Sequence, residues 1–150
     1  MRALTLWRPW DEPVACGTKP VENRSWAPPS SIRGAWIAIH AGKKYDAGGA
    51  AFIMQRGFSL LPRAASDSRS GCVVAVVRLA GAFHQTAPEP IWHDPTWQAV
   101  LLSPWFCGPW GWLFDRAVSL RPIPCRGAQG LWILPSDVER LVRAELRGPP

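Results

Sequence analysis

The sequence lacks any apolar run long enough to cross a bilayer. Its longest such run, residues 72–77, has six residues, whereas a transmembrane helix needs roughly 18 or more. The first ten residues, MRALTLWRPW, contain neither a long apolar region nor a small-residue cleavage site, so we predict no signal peptide. We therefore expect a cytoplasmic protein that makes no membrane contact.

Motifs for metals, disulfides and common hydrolases are also missing. The four cysteines form no Cys-x-x-Cys pair and no zinc-finger spacing with histidine. Reduced thiols, no metal and no cofactor are the expectation for such a chain. The sequence has no Gly-x-Ser-x-Gly motif and no P-loop, which excludes the usual serine-hydrolase and nucleoside-triphosphatase patterns.

The chain has 150 residues, of which 47% are apolar, and we predict a single domain over residues 1–150. Its 13 glycines and 16 prolines predict many turns. Residues 71–83 form the strongest strand pattern, and residues 136–147 form an amphipathic helix. About six short strands with two or three helices at the edges predict an α+β protein built on a small β-barrel.

Lysine is scarce, and 14 of the 17 basic side chains are arginine, against 11 acidic residues. Arginine binds phosphate in a planar, two-pronged way and stacks on aromatic rings. The net charge of +6 therefore fits a nucleic acid or another anionic partner. A GC-rich genome would produce the same composition, so the charge alone leaves both interpretations open.

Ten residues are tryptophan. Most of them must lie in the core, but one or two could line a pocket as stacking platforms for bases. We consider Trp26 and Trp105 for that role. The tryptophan-rich residues 92–112 offer an alternative, a surface that binds a protein partner.

The sequence predicts a short helix over residues 10–16, with Asp11 as its N-cap and Gly17 just after its end. The densest polar cluster follows this helix and contains Lys19, Glu22, Asn23 and Arg24. Side chains alternate between faces in an extended segment, so Glu22 and Arg24 share one face and Asn23 points the other way. Such a cluster forms a charged pocket wall, in which the carboxylate acts as a base or accepts from an exocyclic amine. The alternative is a structural ion-pair network.

Two further polar sets are candidates for ligand contacts. The first surrounds a predicted strand, with Arg33 before it and His40, Lys43 and Lys44 at its end, so that basic groups could bracket an anion. The second, Arg126 and Gln129, lies in a glycine-containing turn that allows close backbone approach. A structural histidine and an ordinary hairpin are the respective alternatives.

Several segments, in order, resemble the ASCH domain, which is named for its homology to activating signal cointegrator proteins. They are ALTLWRPW, GTKPVENRSW, RGAWIAIHAGKK and SGCVVAVVRLAGAF, followed by PWFCGPWGWLFD and IPCRGAQGLWIL. The most specific part is the Gly-x-Lys-x-x-Glu-x-Arg pattern of residues 17–24. Together these segments cover most of the chain.

The resemblance implies a PUA-like barrel with a cleft lined by residues 17–24, and binding of RNA or DNA. Some relatives are ribonucleases, and small bacterial relatives remove the acetyl group of N4-acetylcytidine. In that amidohydrolase branch the catalytic lysine falls at Lys19. Its threonine partner is replaced here by Glu22, and its later glutamate has no match. The local pattern is closer to the cointegrator branch, for which nucleic-acid binding is implied.

Two main hypotheses follow. In the first, the domain binds a nucleic acid or a modified nucleotide through Lys19, Glu22, Asn23, Arg24, Trp26, Arg33, His40, Lys43, Lys44, Arg126 and Gln129. In the second, Lys19 activates water or attacks directly, and Glu22 shuttles the proton, to cleave an N4-acyl group from a modified cytidine. The sequence does not indicate an oligomeric state.

Overall fold

The computed structural model describes residues 1–86 and 93–147. The elements are, in chain order, β1 (Arg2–Arg8), α1 (Asp11–Ala15), β2 (Val21–Arg24), a 3₁₀ turn (Ser30–Ile32), β3 (Trp36–Tyr45), α2 (Ala47–Gln55), α3 (Arg63–Ser68), β4 (Cys72–His84), α4 (Pro95–Leu101), β5 (Trp110–Pro124), β6 (Leu131–Ile133) and α5 (Ser136–Arg147).

The six strands form one mixed sheet in the order β2–β5–β4–β3–β1–β6. β1 and β3 run parallel, and the other neighbouring pairs are antiparallel. The ladder ends at β2 on one edge and at β6 on the other. The predicted α+β class and the number of strands are confirmed.

Helices are more numerous than the two or three expected at the edges, since the described residues contain five. Among them is α3, within residues 59–70, a polar stretch whose sequence predicts an irregular connection. α1 also begins differently from the prediction. Asp11 was expected to cap the helix, but Trp10 holds the N-cap position and Asp11 is the first helical residue, with 1% of its surface exposed.

β5 is one continuous strand of 15 residues, whereas its prolines suggested several short extended pieces. β2 pairs only with Trp110–Leu113, and the Phe114 N–H donates to the carbonyl of Pro20, just before β2. Beyond Phe114, no strand of the described residues pairs with that edge of β5. A strand with a free edge tolerates residues that lack an N–H donor, which explains Pro122 and Pro124. Register shifts against β4 accommodate the length of the strand.

The core fills both faces of the sheet. One layer lies on one face and includes Leu4, Ile37, Ile39, Val74 and Trp112, all fully buried. A second layer packs the opposite face against Val138 and Val142 of α5. All four cysteines are free. None of the helices in the described residues is long and apolar enough to cross a membrane.

Candidate functional site

The turn after α1 carries Lys19 into the interior. Gly17 has a φ of 74°, a left-handed conformation that glycine adopts without steric cost. The Gly17 N–H donates to the Val14 carbonyl, and the Lys19 N–H donates to the Pro13 carbonyl at 2.9 Å. This chain reversal folds Lys19 back beside the helix, where only 2% of its surface is exposed.

Lys19, Glu22 and Arg24 form a row of charges on the pocket wall. The Lys19 ammonium donates to the Val21 carbonyl at 2.8 Å and to Glu22 Oε2 at 2.5 Å. Arg24 Nη2 lies 3.3 Å from the other carboxylate oxygen, Oε1. Glu22 is thus held between two cations, on the face of β2 that the alternation of side chains predicted.

Asn23 points to the other face of β2, where its amide fixes the neighbouring segment. Its Nδ2 donates to the Trp105 carbonyl at 2.7 Å, and its Oδ1 accepts from the Cys107 N–H at 2.8 Å. The side chain therefore positions the pocket wall rather than presenting a free amide to a ligand.

A pocket of about 340 Å³ opens in front of this row. Its walls are Thr5, Leu6, Trp7, Trp10, Lys19, Glu22, Asn23, Arg24 and Cys107. Trp7 is half exposed at the rim, and the Lys44 ammonium lies 3.4 Å from the centre of its ring. Trp10 lies deeper, with its ring 5.7 Å from the Lys19 ammonium. The pocket thus combines paired charges with two indole rings. We call it the Lys19 pocket.

Asp46 fixes the orientation of Trp10. Its Oδ2 accepts from Trp10 Nε1 at 2.9 Å, while its Oδ1 accepts from the Gly49 N–H and caps α2. These two hydrogen bonds, with the backbone N–H the larger cause, lower the pKa of Asp46. A Cβ added at Gly49 would lie 2.5 Å from Trp10 Nε1, so a glycine is needed at this close approach.

The structure joins parts of the other two predicted sets into a second pocket of about 800 Å³. His40 and Lys43 come from β3, and Arg126 and Gln129 come from the loop after β5. Thr5 lines this pocket and also the Lys19 pocket. The two polar sets, far apart in the sequence, thus face the same space. We call it the His40 pocket.

His40 supports the floor of the His40 pocket. Its Nε2 lies 3.0 Å from the Cys125 carbonyl, to which it can only donate. Burial lowers the pKa of His40, although the Cys125 carbonyl partly opposes this, so the ring is neutral at pH 7 with its proton on Nε2. The residue thus anchors the loop, as in the structural alternative for this histidine.

The remaining predicted residues lie elsewhere. Arg33 is at the opposite end of β3, where its Nε donates to the Ala80 carbonyl at 3.2 Å. Ten residues of extended chain span about 30 Å, so Arg33 and Lys43 do not bracket one anion. Trp26 packs edge-on against Trp112, with ring centres 4.8 Å apart, and it does not line the Lys19 pocket.

The aromatic walls of the Lys19 pocket were missed at the level of sequence. Trp105, one predicted platform, is 5% exposed and belongs to the core. Trp7 and Trp10 line the pocket instead. A signal was available, because both lie within twelve residues of Lys19, at the turn that leads into α1. The protein-binding surface predicted over residues 92–112 begins at Trp92, which lies outside the described residues.

A metal centre has no candidate ligand set in residues 1–86 and 93–147. No group of three or more His, Cys, Asp or Glu side chains is placed to hold an ion in those ranges.

Similarity to known proteins is detectable in structure but weak in sequence. No protein-family model and no curated protein matches the chain. The crystal structure of ASCH from Zymomonas mobilis is 17% identical, with 95% of this chain and 93% of that one covered and a TM-score of 0.54. A Tyr-to-Phe variant of it is 19% identical, with 95% and 96% covered and a TM-score of 0.53. A Ser-to-Ala variant is 16% identical, with 95% and 94% covered and a TM-score of 0.52. Identities this low establish a shared architecture rather than a shared activity. The chain therefore has the fold of the ASCH domain.

Proposed function

We propose that the Lys19 pocket binds one unpaired base of a nucleic acid, or the corresponding modified nucleoside. The observation that carries this proposal is the buried Lys19–Glu22 pair, with the partly exposed Arg24 next to it, beside the rings of Trp7 and Trp10. Aromatic faces take up a base by stacking, and polar groups in fixed positions then recognise its edge.

The size of the pocket supports a single nucleoside. Its volume of about 340 Å³ is at the lower end of the roughly 300–1,000 Å³ typical of small-molecule sites. A duplex does not fit such a space, so a base within a duplex would have to leave the stack first. Stacking on an aromatic side chain contributes about 1–3 kcal/mol per base.

The charged row supports recognition of a pyrimidine edge. A carboxylate has about four acceptor sites, and Lys19 and Arg24 each occupy one side of Glu22. Glu22 therefore retains acceptor capacity for an N–H group, while Lys19 has a further N–H to donate to a base carbonyl. The edge of an N4-acylated cytosine presents one N–H, the ring nitrogen N3 and the O2 carbonyl, so its N–H suits Glu22 and its carbonyl suits Lys19.

Calorimetric titration with cytidine, N4-acetylcytidine and a single-stranded RNA or DNA oligonucleotide tests the proposal. Trp7→Ala removes an exposed ring at the rim, and we expect it to weaken binding roughly tenfold, the low end of one lost stack. Trp7→Phe should restore part of the affinity. Met54→Ala, which shortens another half-exposed apolar side chain, is the matched control. Equal affinities for all four proteins would contradict the proposal.

Hydrolysis of an N4-acyl group is the second candidate function. It is favoured by the 2.5 Å contact between the Lys19 ammonium and Glu22 at the pocket wall. In this reaction Lys19 would first pass a proton to Glu22 and would then take one from a water molecule that attacks the acyl carbonyl. Glu22 would give its proton to the leaving amine, so that the products are cytidine and the free carboxylic acid.

Chromatography after incubation with N4-acetylcytidine distinguishes the two candidates. Release of cytidine by the wild type, lost in Lys19→Ala, would establish the amidohydrolase. Binding without any release would leave the pocket as a reader of the base.

A further inference from the structure

The His40 pocket carries positive charge that no described residue neutralises. Lys43 and Arg126 are exposed, and neither side chain has a hydrogen bond or an ion pair with another residue of the described ranges. No Asp or Glu is among the residues that line this pocket. By contrast, Glu22 lies between the two cations of the Lys19 pocket. Unpaired cations in a concave site attract an anion.

The loop that lines the same space also carries backbone donors. The N–H groups of Gly127, Ala128 and Gln129 donate to no other residue that the structure describes. Consecutive free N–H groups beside basic side chains form the type of concavity that holds phosphate oxygens. The hydroxyl of Ser70, on the opposite wall, likewise has no described partner.

The loop of residues 125–129 is held in place from below. The Thr5 hydroxyl donates to the Ala128 carbonyl at 2.9 Å, and the Cys125 carbonyl accepts from His40. Gly127 lies so close to His40 that an added Cβ would be 2.4 Å from the ring. The loop that carries the unpaired N–H groups is therefore held in one position.

Thr5 lies between the two pockets and lines both of them. A strand whose base occupies the Lys19 pocket would bring the adjoining part of its backbone towards the His40 pocket. The Lys19 pocket has aromatic rings and paired charges, which suit a base, whereas the His40 pocket has unpaired cations, which suit a phosphate.

We propose that the His40 pocket binds the phosphodiester group next to the base held in the Lys19 pocket. Lys43, Arg126 and the backbone N–H groups of residues 127–129 supply the contacts. In this form the inference rests on the proposed function. The site itself is an anion site for phosphate, with or without the base.

The first experiment follows backbone amide NMR signals of the full chain during titration with inorganic phosphate. We expect saturable shifts at Gly127, Ala128 and Gln129 that are lost in the Lys43→Gln/Arg126→Gln double variant. Both replaced side chains are exposed, so the fold should be retained. A double variant of Arg140 and Arg147 to Gln removes the same charge from α5 and should retain the shifts. Shifts that persist in the first variant, or that never arise, would overturn the phosphate site.

The second experiment compares an oligonucleotide with a free nucleoside at several salt concentrations. The Lys43→Gln/Arg126→Gln variant should bind the oligonucleotide roughly tenfold more weakly, with a salt dependence shallower by about 1 in the log–log slope. Its affinity for the nucleoside should not change. An oligonucleotide affinity equal to that of the α5 control would overturn the link between the pockets. Phosphate binding without nucleoside or oligonucleotide binding would instead refute the proposed function and leave the anion site standing.

Discussion

Two clusters of charged side chains lie at the two ends of α1, and they differ in the ratio of cations to carboxylates. After the helix, one carboxylate, Glu22, lies between the cations Lys19 and Arg24. At its start, Asp11 and Glu12 are 1% and 3% exposed. There Asp11 has one arginine beside it, with Arg69 Nη2 3.5 Å from Oδ2.

The imbalance at the start of α1 affects protonation. Burial raises the pKa of Asp11 to about 6, and Glu12 adds to this, while Arg69 lowers it. Neither Asp11 oxygen accepts a well-formed hydrogen bond from the described residues. The comparison teaches that the carboxylate after the helix is paired with two cations, whereas the aspartate at its start holds a proton more tightly than a free aspartate does. The predictions below test that distinction.

The largest effect is expected from removing the central cation of the balanced cluster. Lys19→Met keeps the apolar stem but leaves the carboxylate of Glu22 with Arg24 alone. Breaking a buried ion pair costs about 3–5 kcal/mol of unfolding free energy. Because Arg24 still pairs with Glu22, we expect a loss of about 3 kcal/mol. Urea denaturation at pH 7 measures it. Adding Glu22→Gln should recover part of the loss, because the uncompensated charge is then removed. A loss that is purely additive would show that the two groups do not stabilise each other.

A pH-dependent effect is expected at the unbalanced cluster. The raised pKa means that the folded state binds the proton more tightly than the unfolded state. This stabilisation is complete below the usual aspartate pKa of about 3.9 and is lost as the pH rises through about 6. The total is on the order of 2–3 kcal/mol. Asp11→Asn should abolish this decline in urea denaturation between pH 5 and 8.

Asp67 provides the control for that experiment. Hydrogen bonds from Arg8 and Arg63 lower the pKa of this exposed carboxyl group. Its stabilisation is therefore present above the usual aspartate range and lost as the pH falls. Asp67→Asn should leave the pH dependence of the unfolding free energy between pH 5 and 8 unchanged. A flatter dependence in this variant would show that Asp67, and not Asp11, is the group that titrates.

Packing rather than charge is changed by Gly49→Ala. The added methyl group would overlap Trp10. We expect the free energy of unfolding to fall by about 1–3 kcal/mol and nucleoside binding to weaken. Gly48→Ala is the matched control, since its nearest neighbour would be 3.5 Å away. It should be neutral or stabilise by up to about 1 kcal/mol through helix propensity. Thermal unfolding measures the stability of both variants, and calorimetric titration measures their affinity for the nucleoside.

The smallest effect is expected at the outer cation of the balanced cluster. Arg24→Gln leaves the Lys19–Glu22 contact intact, and Arg24 is 3.3 Å from Glu22 at a partly exposed position. A partly screened pair of this kind contributes about 1 kcal/mol or less. A loss in urea denaturation as large as that of Lys19→Met would show that the two cations are equivalent and that burial does not distinguish them.

The charged row was predictable because its geometry is local. Side-chain alternation along residues 21–24 puts Glu22 and Arg24 on one face, and Gly17 after a short helix predicts the turn that returns Lys19. The strong strands β3 and β4 were predictable for the same reason, since their apolar pattern is continuous.

The His40 pocket was not predictable as a unit. It requires the loop after β5 to return across β1 and β3, and that contact joins residues more than 80 positions apart. Arg33 was grouped with Lys43 because the two are close in the sequence, yet the length of β3 separates them. The charge state of Asp11 depends on α3, through Arg69, and α3 itself was not predicted.

The contact between Lys44 and Trp7 has a consequence for the path of a bound strand. An indole ring has two faces, and the ammonium covers one of them at 3.4 Å. A base that stacks on Trp7 must use the opposite face, so the column of stacked rings terminates there. For the proposed base-binding function, Trp7 thus has one face free, which can hold one base.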